Sequence, residues 1–263
     1  MKKLLYLLAA LAVLAGCRAG TDPATPSVPE APAPGLPEAQ AASPAPIACK
    51  TPIYSVARDD DVLAISFDAA WGSEYTRTIL DILDEYGIKT TFFVVKFWVE
   101  EHPEMAREIV NRGHEIGNHS ATHPEMGGLS PAAIEEEMMS THNAIKEVTG
   151  FEAKLFRPPF GHYSAKMLES IARLGYYAIQ WDVDSLDWKE RGAEEIISRV
   201  GDKAEKGSIV LFHNNAKYIT TALPRVLDAF RERNLKVVPI SQLIYLEDYT
   251  IDHEGKQHPV TGR

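Results

Sequence analysis

The sequence predicts an α/β protein built as one closed or nearly closed barrel of parallel strands. Three observations predict it. From Tyr54 onward, short runs rich in β-branched and aromatic residues alternate with amphipathic stretches of helix length. Many of the helix-like stretches stop at a glycine, as at Gly87, Gly113, Gly150 and Gly175. Polar, chemistry-bearing residues gather directly after the strand-like runs. Alternation of this kind makes consecutive strands parallel, with right-handed crossovers. The number of alternations suits one barrel better than two small domains.

The chain opens on a targeting pattern. Lys2 and Lys3 precede an apolar run from Leu4 to Leu14, which is too short for a comfortable membrane span. It ends in Leu14-Ala15-Gly16-Cys17, which resembles a bacterial lipobox. Residues 1–16 then read as a lipoprotein signal peptide and Cys17 as the lipidated residue. An ordinary secretory signal cut near the same place is the other reading. The lipobox resemblance implies lipid anchoring to the cell membrane, on its extracytoplasmic face. Loss of residues 1–16 removes Lys2 and Lys3 and takes the side-chain charge from −10 to −12. Acidity of this size disfavours nucleic acid and anionic lipid as partners and leaves neutral polymers open.

Residues 17–53 carry the lipidation candidate and a Pro/Ala-rich stretch with few large apolar side chains, so they read as a tether and not a domain. With Cys17 lipidated, Cys49 has no intrachain partner, and the fold must rest on its core. The expected body spans residues 54–247. Its strands are Val62–Phe67, Ile88–Val95, Glu115–Asn118, Lys154–Phe156, Tyr176–Val183, Ser208–Phe212 and Lys236–Val238. Its helices are Glu74–Tyr86, Pro103–Arg112, Ser130–Thr149, Ser164–Leu174, Ala193–Glu205, Thr220–Arg233 and a short Ser241–Leu246. Residues 248–263 have little core pattern and read as a loose tail.

The candidate chemistry sits at the strand ends. The first strand closes in Phe67-Asp68-Ala69-Ala70-Trp71-Gly72 and presents a carboxylate; a plain helix or turn cap is the alternative for Asp68. After the third strand come His119 and His123, four apart, a spacing that lets two imidazoles reach one metal ion if the loop turns helically. Arg157 precedes two prolines that stiffen its turn, and it could pair with a carboxylate. Asp182, Asp184 and Asp187 crowd beside Trp188, whose face suits a sugar ring as well as a core. His213 ends its strand at the position Asp68 takes on the first, where a general acid, a metal ligand or a half-buried residue are all open. His102, His114, His142, His162, His253 and His258 read as structural or exposed.

Asp68 in SFD, His119 and His123 in HSATH, Arg157 in RPPFG, Asp187-Trp188 in DSLDW, and Leu211 with His213 in VLFH resemble, in order and spacing, the polysaccharide deacetylase (NodB-homology) family. The FDAAWG form resembles a branch of Gram-positive and sporulation-associated deacetylase-like proteins. The resemblance implies a single distorted (β/α) barrel of about seven parallel strands. It implies hydrolysis of N- or O-acetyl groups on glycans with a divalent metal, commonly Zn, with Co, Ni or Mn as alternatives. Carried over, Asp68 is the general base and His119 and His123 are metal ligands. Arg157 holds Asp68, His213 is the general acid, and Asp187 tunes it. Backbone near Phe160 assists the oxyanion, and Trp188 and Leu211 wall the acetyl pocket.

One position departs from that pattern. The family usually has a second Asp after the base, as third metal ligand, and this chain has Ala69. Glu74, just past the turn, is the candidate substitute. Two functions are therefore expected. One is a membrane-anchored, metal-dependent deacetylase of peptidoglycan or related N-acetylglucosamine polymers, acting as a monomer. The other, raised by Ala69, is a glycan-binding lipoprotein on the same barrel without turnover.

Overall fold

A computed structural model describes residues 50–260. Cys17, Cys49 and nearly all of the Pro/Ala-rich stretch lie outside the described residues. The described residues fall in one compact unit. The strands are β1 (Ser55–Val56), β2 (Val62–Ala69), β3 (Thr91–Val94), β4 (Glu115–Asn118), β5 (Leu155–Phe156), β6 (Tyr177–Ala178), β7 (Val183–Asp184), β8 (Ile209–His213), β9 (Lys236–Val237), β10 (Tyr249–Ile251) and β11 (Lys256–Pro259). The helices are α1 (Thr76–Glu85), α2 (Lys96–Glu101), α3 (Pro103–Asn111), α4 (Pro131–Thr149), α5 (Ala165–Arg173), α6 (Ala193–Lys203), α7 (Ile219–Glu232) and α8 (Ile240–Leu243). None of these helices is long and apolar enough to cross a membrane.

Seven parallel strands form one curled sheet in the order β6-β5-β4-β3-β2-β8-β7, and β9 adds to the start of β2. The α/β barrel read from the sequence is thus the observed architecture. β2 lies at the centre and is buried from Leu63 onward. Its side chains alternate between two cores, as a period of two requires. Leu63, Ile65 and Phe67 join the helix-side core, whereas Ala64 belongs to a separate interior cluster with Phe93, Leu155, Ile179 and Ile209. Phe67 stacks on Phe92 at 5.0 Å and on Phe212 at 5.6 Å, so one row of rings ties three neighbouring strands.

The structure departs from the sequence reading in four places. The expected single strand Tyr176–Val183 is divided. Its first part pairs with β5 as β6, and its last part pairs with β8 as β7. One bent segment therefore spans both ends of the sheet. Ile53 fills the interval: its N–H donates to the Ala178 carbonyl at 2.8 Å, and its carbonyl accepts from the Gln180 N–H at 2.7 Å. Assigned to the tether, Ile53 is in fact a buried part of the body. Helix α2 was not expected. Its six residues follow β3 after the single extended residue Val95 and bury Trp98 and Val99. The tail is not loose: β10 and β11 pair antiparallel, and β11 pairs in parallel with β1.

Candidate active site

Asp68 and His213 occupy facing register positions on neighbouring strands β2 and β8. Both stand at the C-terminal ends of parallel strands, the side where loops gather. A cleft of about 480 Å³ opens there, lined by Asp68, His119, His123, Phe160, Trp188, Leu211 and His213, all expected from the sequence. Ala70, Trp71, Trp181, Asp184 and Asn215 complete its wall.

Asp68 is nearly buried, and its charge is matched by Arg157, which is fully buried. Arg157 Nη1 donates to Asp68 Oδ1 at 2.7 Å, and Nη2 donates to the Gln180 carbonyl at 3.2 Å. The guanidinium carbon lies 4.2 Å from the centre of the Phe93 ring, so the cation has an aromatic face on one side and a carboxylate at its tip. Burial alone would raise the Asp68 carboxyl. The charge of Arg157, with smaller help from His119 and His213, outweighs burial and holds the carboxyl below its ordinary range. Asp68 is therefore ionised at neutral pH.

His119 is buried behind Asp68. Its Nδ1 lies 2.7 Å from the Arg157 carbonyl, which can only accept, so Nδ1 carries the proton and Nε2 keeps the lone pair. That Nε2 faces Asp68 Oδ2 at 3.5 Å. Burial, the largest influence, pushes its pKa down despite Asp68. His123 meets the His119 ring edge-on at 4.9 Å, and its Nδ1 is buried without a hydrogen-bond partner. Burial, reinforced by His119, pushes His123 down to about 4. Both imidazoles are neutral, the form that can ligate a metal.

The loop between them is fixed from α4. Glu137 accepts from the Ala121 and Thr122 N–H groups at 2.8 and 2.9 Å and from the Thr122 hydroxyl at 2.7 Å. Sequence reasoning missed Glu137, because an acid on a long helix carries no signal of a distant backbone partner.

The donor set stops at two. Ala69 is fully buried in the helix-side core and offers no donor. Glu74, the expected substitute, is exposed, lies against Gly72 and does not line the cleft, so it does not take the third place. Among the described residues, no three His, Cys, Asp or Glu side chains are grouped to hold a metal ion. A catalytic zinc takes three protein ligands. The residues present supply two imidazoles and do not complete such a site.

On the other side, His213 Nδ1 donates to Asp187 Oδ1 at 2.7 Å, and the His213 N–H donates to Asp187 Oδ2 at 2.8 Å. Burial alone would lower the imidazole. The hydrogen bond and charge of Asp187 outweigh it, and its pKa is raised. With Nδ1 occupied, Nε2 is left as the proton donor. Of the three acids crowded in this loop, only Asp187 performs this task. Asp182 turns to the Ser208 hydroxyl and Ile209 N–H, and Asp184 accepts from the Leu186 N–H.

The polysaccharide deacetylase family model matches residues 55–179. The chain is 32% identical over 213 residues to the peptidoglycan-N-acetylglucosamine deacetylase PgdA of Listeria monocytogenes, covering 81% of this chain and 44% of PgdA. It is 29% identical over 196 residues to a peptidoglycan-N-acetylglucosamine deacetylase of Bacillus cereus, covering 73% of this chain and 92% of that protein. It thus spans under half the length of PgdA, and about half of another relative that it matches. Among solved structures it superposes on wild-type BA3943 of Bacillus anthracis, described as a CE4 family pseudoenzyme, with a TM-score of 0.72 and 31% identity over 80% of this chain and 73% of that one. A BA3943 mutant described as having restored enzymatic activity gives the same TM-score at 33% identity, over 79% and 72% of the two chains.

Proposed function

Because the chain belongs to the polysaccharide deacetylase family, we propose that its cleft receives an N-acetylated cell-wall glycan and that Asp68 and His213 hydrolyse the acetamido group. The observation that carries this reading is the pairing of a carboxylate and an imidazole across one cleft. Each is locked by its own buried partner, and their pKa values are driven in opposite directions. Asp68 takes a proton from a water as the water oxygen adds to the acetyl carbonyl carbon. His213 gives its Nε2 proton to the nitrogen as the C–N bond breaks. The products are acetate and a free amino sugar. Trp188 and Leu211 wall the space for the acetyl methyl group. Lipid attachment at Cys17 would keep the body beside the wall it acts on, and bound lipid at that residue is the test of that part.

A second reading, glycan binding without turnover, is favoured by Ala69 and by the likeness to BA3943. The variant Ala69→Asp separates the two. An unpaired carboxylate at this buried position destabilises the fold unless a cation meets it. The variant should therefore melt lower than the natural chain, regain stability with zinc, and release acetate from N-acetylglucosamine oligomers faster than the natural chain does. Slow but measurable release by the natural chain supports the enzyme. Release only by the variant supports the binding protein. No release by either, with both folded and zinc supplied, removes the deacetylase reading.

A further inference from the structure

We propose that Gln180 is a positioning residue: it splints the turn at residues 157–161 from both ends, and so sets the groups that this turn brings to Asp68, His119 and His123. The role rests on the hydrolysis read above. Gln180 falls between β6 and β7, outside both strands, and is 1% exposed. A buried amide destabilises a fold unless its polar groups find partners. The Gln180 main chain finds them on two sides. Its N–H donates to the Ile53 carbonyl at 2.7 Å, and its carbonyl accepts from Arg157 Nη2 at 3.2 Å. The side chain reaches the other end of the turn, where Nε2 donates to the Gly161 carbonyl at 2.7 Å.

The turn held in this way needs outside support. Pro158 and Pro159 stiffen its middle. Phe160 then has φ +59° and Gly161 φ +71°, two left-handed residues in succession. Glycine adopts that conformation freely, whereas a phenylalanine meets a steric penalty in it. Such a residue persists where its surroundings over-determine the backbone. The hydrogen bond from Gln180 is one such constraint, and a bare glycine lets it close in. A Cβ on Gly161 would stand 3.0 Å from the Trp181 ring and 3.4 Å from Gln180 Oε1.

Three parts of the site depend on this turn. The Arg157 guanidinium holds Asp68, and the Arg157 carbonyl accepts from His119 Nδ1 at 2.7 Å. The Phe160 ring meets His123 edge-on at 4.6 Å. Gln180 itself does not line the cleft, so it acts through the turn and not on a substrate. Without the Nε2 donor the Gly161 end is released, and Phe160 is free to relax away from His123. A displacement of about 1 Å in positioned groups can slow a reaction about a hundredfold. Loss of an arrangement that matters chiefly in the transition state lowers kcat and leaves KM nearly unchanged.

The test is Gln180→Met, which fills similar space without a donor and leaves the main-chain bonds to Ile53 and Arg157 in place. Gln180→Asn, an amide too short to reach Gly161, is the second variant. Gln257→Met is the control for lost stability alone, because Gln257 is a buried amide bonded to the Tyr245 main chain and does not line the cleft. Acetate release from N-acetylglucosamine oligomers, with zinc supplied, is followed for each substitution in the natural chain and in the Ala69→Asp chain. Both Gln180 variants should lower kcat by about tenfold to a hundredfold and keep KM within about twofold. The Gly161 and His162 N–H groups donate to the Pro158 and Pro159 carbonyls at 3.1 and 3.2 Å, and in both variants their hydrogen exchange should quicken by about tenfold. Gln257→Met should lower the melting temperature and change neither kcat nor these two amides. Natural kcat or natural exchange at Gly161 and His162 in the Gln180 variants, or an equal loss of kcat in Gln257→Met, overturns the proposal while the hydrolysis reading stands. Release of acetate by neither the natural chain nor the Ala69→Asp chain overturns both.

Discussion

At the scale of single residues, the site is a problem of keeping one proton on His213 and none on Asp68. Asp187 solves the first half by accepting from both the side chain and the backbone of His213. A raised folded-state pKa stabilises the protein fully below the unfolded value of about 6.5, and this stabilisation is lost as pH rises through the folded value. Asp187→Asn removes the charge that holds the proton. The His213 titration, followed by NMR, should then move to lower pH, and the loss of stability on the alkaline side should shrink. An unchanged His213 titration would remove Asp187 from this role. Most of this machinery is legible in the sequence because each group ends a strand or follows one closely and carries a distinctive side chain. Glu137 and Trp71 are not legible in this way. Glu137 acts on a loop fifteen or sixteen residues away through backbone N–H groups that leave no sequence trace. Trp71 stands beside Asp68 in the chain, but only its exposure in the fold separates it from a core indole.

At the scale of elements, α4 acts as a clamp. Its Ser130 cap accepts from the Ala133 N–H at 3.2 Å, and Gly150 ends it in the left-handed conformation at φ +74°, so both ends are fixed. From that support Glu137 holds the chain between His119 and His123. Glu137→Ala should leave the helix intact and free the Ala121 and Thr122 amides, whose hydrogen exchange should quicken by about tenfold or more while that of β2 and β8 is unchanged. Uniform quickening would mean global destabilisation instead. The element scale is also where the sequence reading fails. The segment from Tyr177 to Asp184 has the apolar content of one strand but two different partners, and partners are not encoded locally. β11 was missed because the side chain that locks it is an amide. Gln257 is fully buried, donates to the Tyr245 carbonyl at 2.7 Å and accepts from the Tyr245 N–H at 2.8 Å, with no apolar signature to give it away.

At the scale of the whole molecule, the sheet closes on itself only with help from outside its own strands. Ile53 sits where β6 has ended and β7 has not begun, bridged to Ile179, and is 2% exposed. Ile53→Ala should therefore cost about 2–5 kcal/mol, read from urea unfolding, which is the range for truncating a buried branched side chain and not that of a tether residue. A cost below about 0.5 kcal/mol would mark the position as surface. The same residue has a mechanical consequence. From the Ile53 carbonyl to the Gln180 N–H, from the Gln180 carbonyl to Arg157, and from Arg157 to Asp68, a line of hydrogen bonds joins the incoming chain to the Asp68 carboxylate. Tension on the chain ahead of the barrel enters the fold at this seam, in shear, and its shortest load path ends at Asp68.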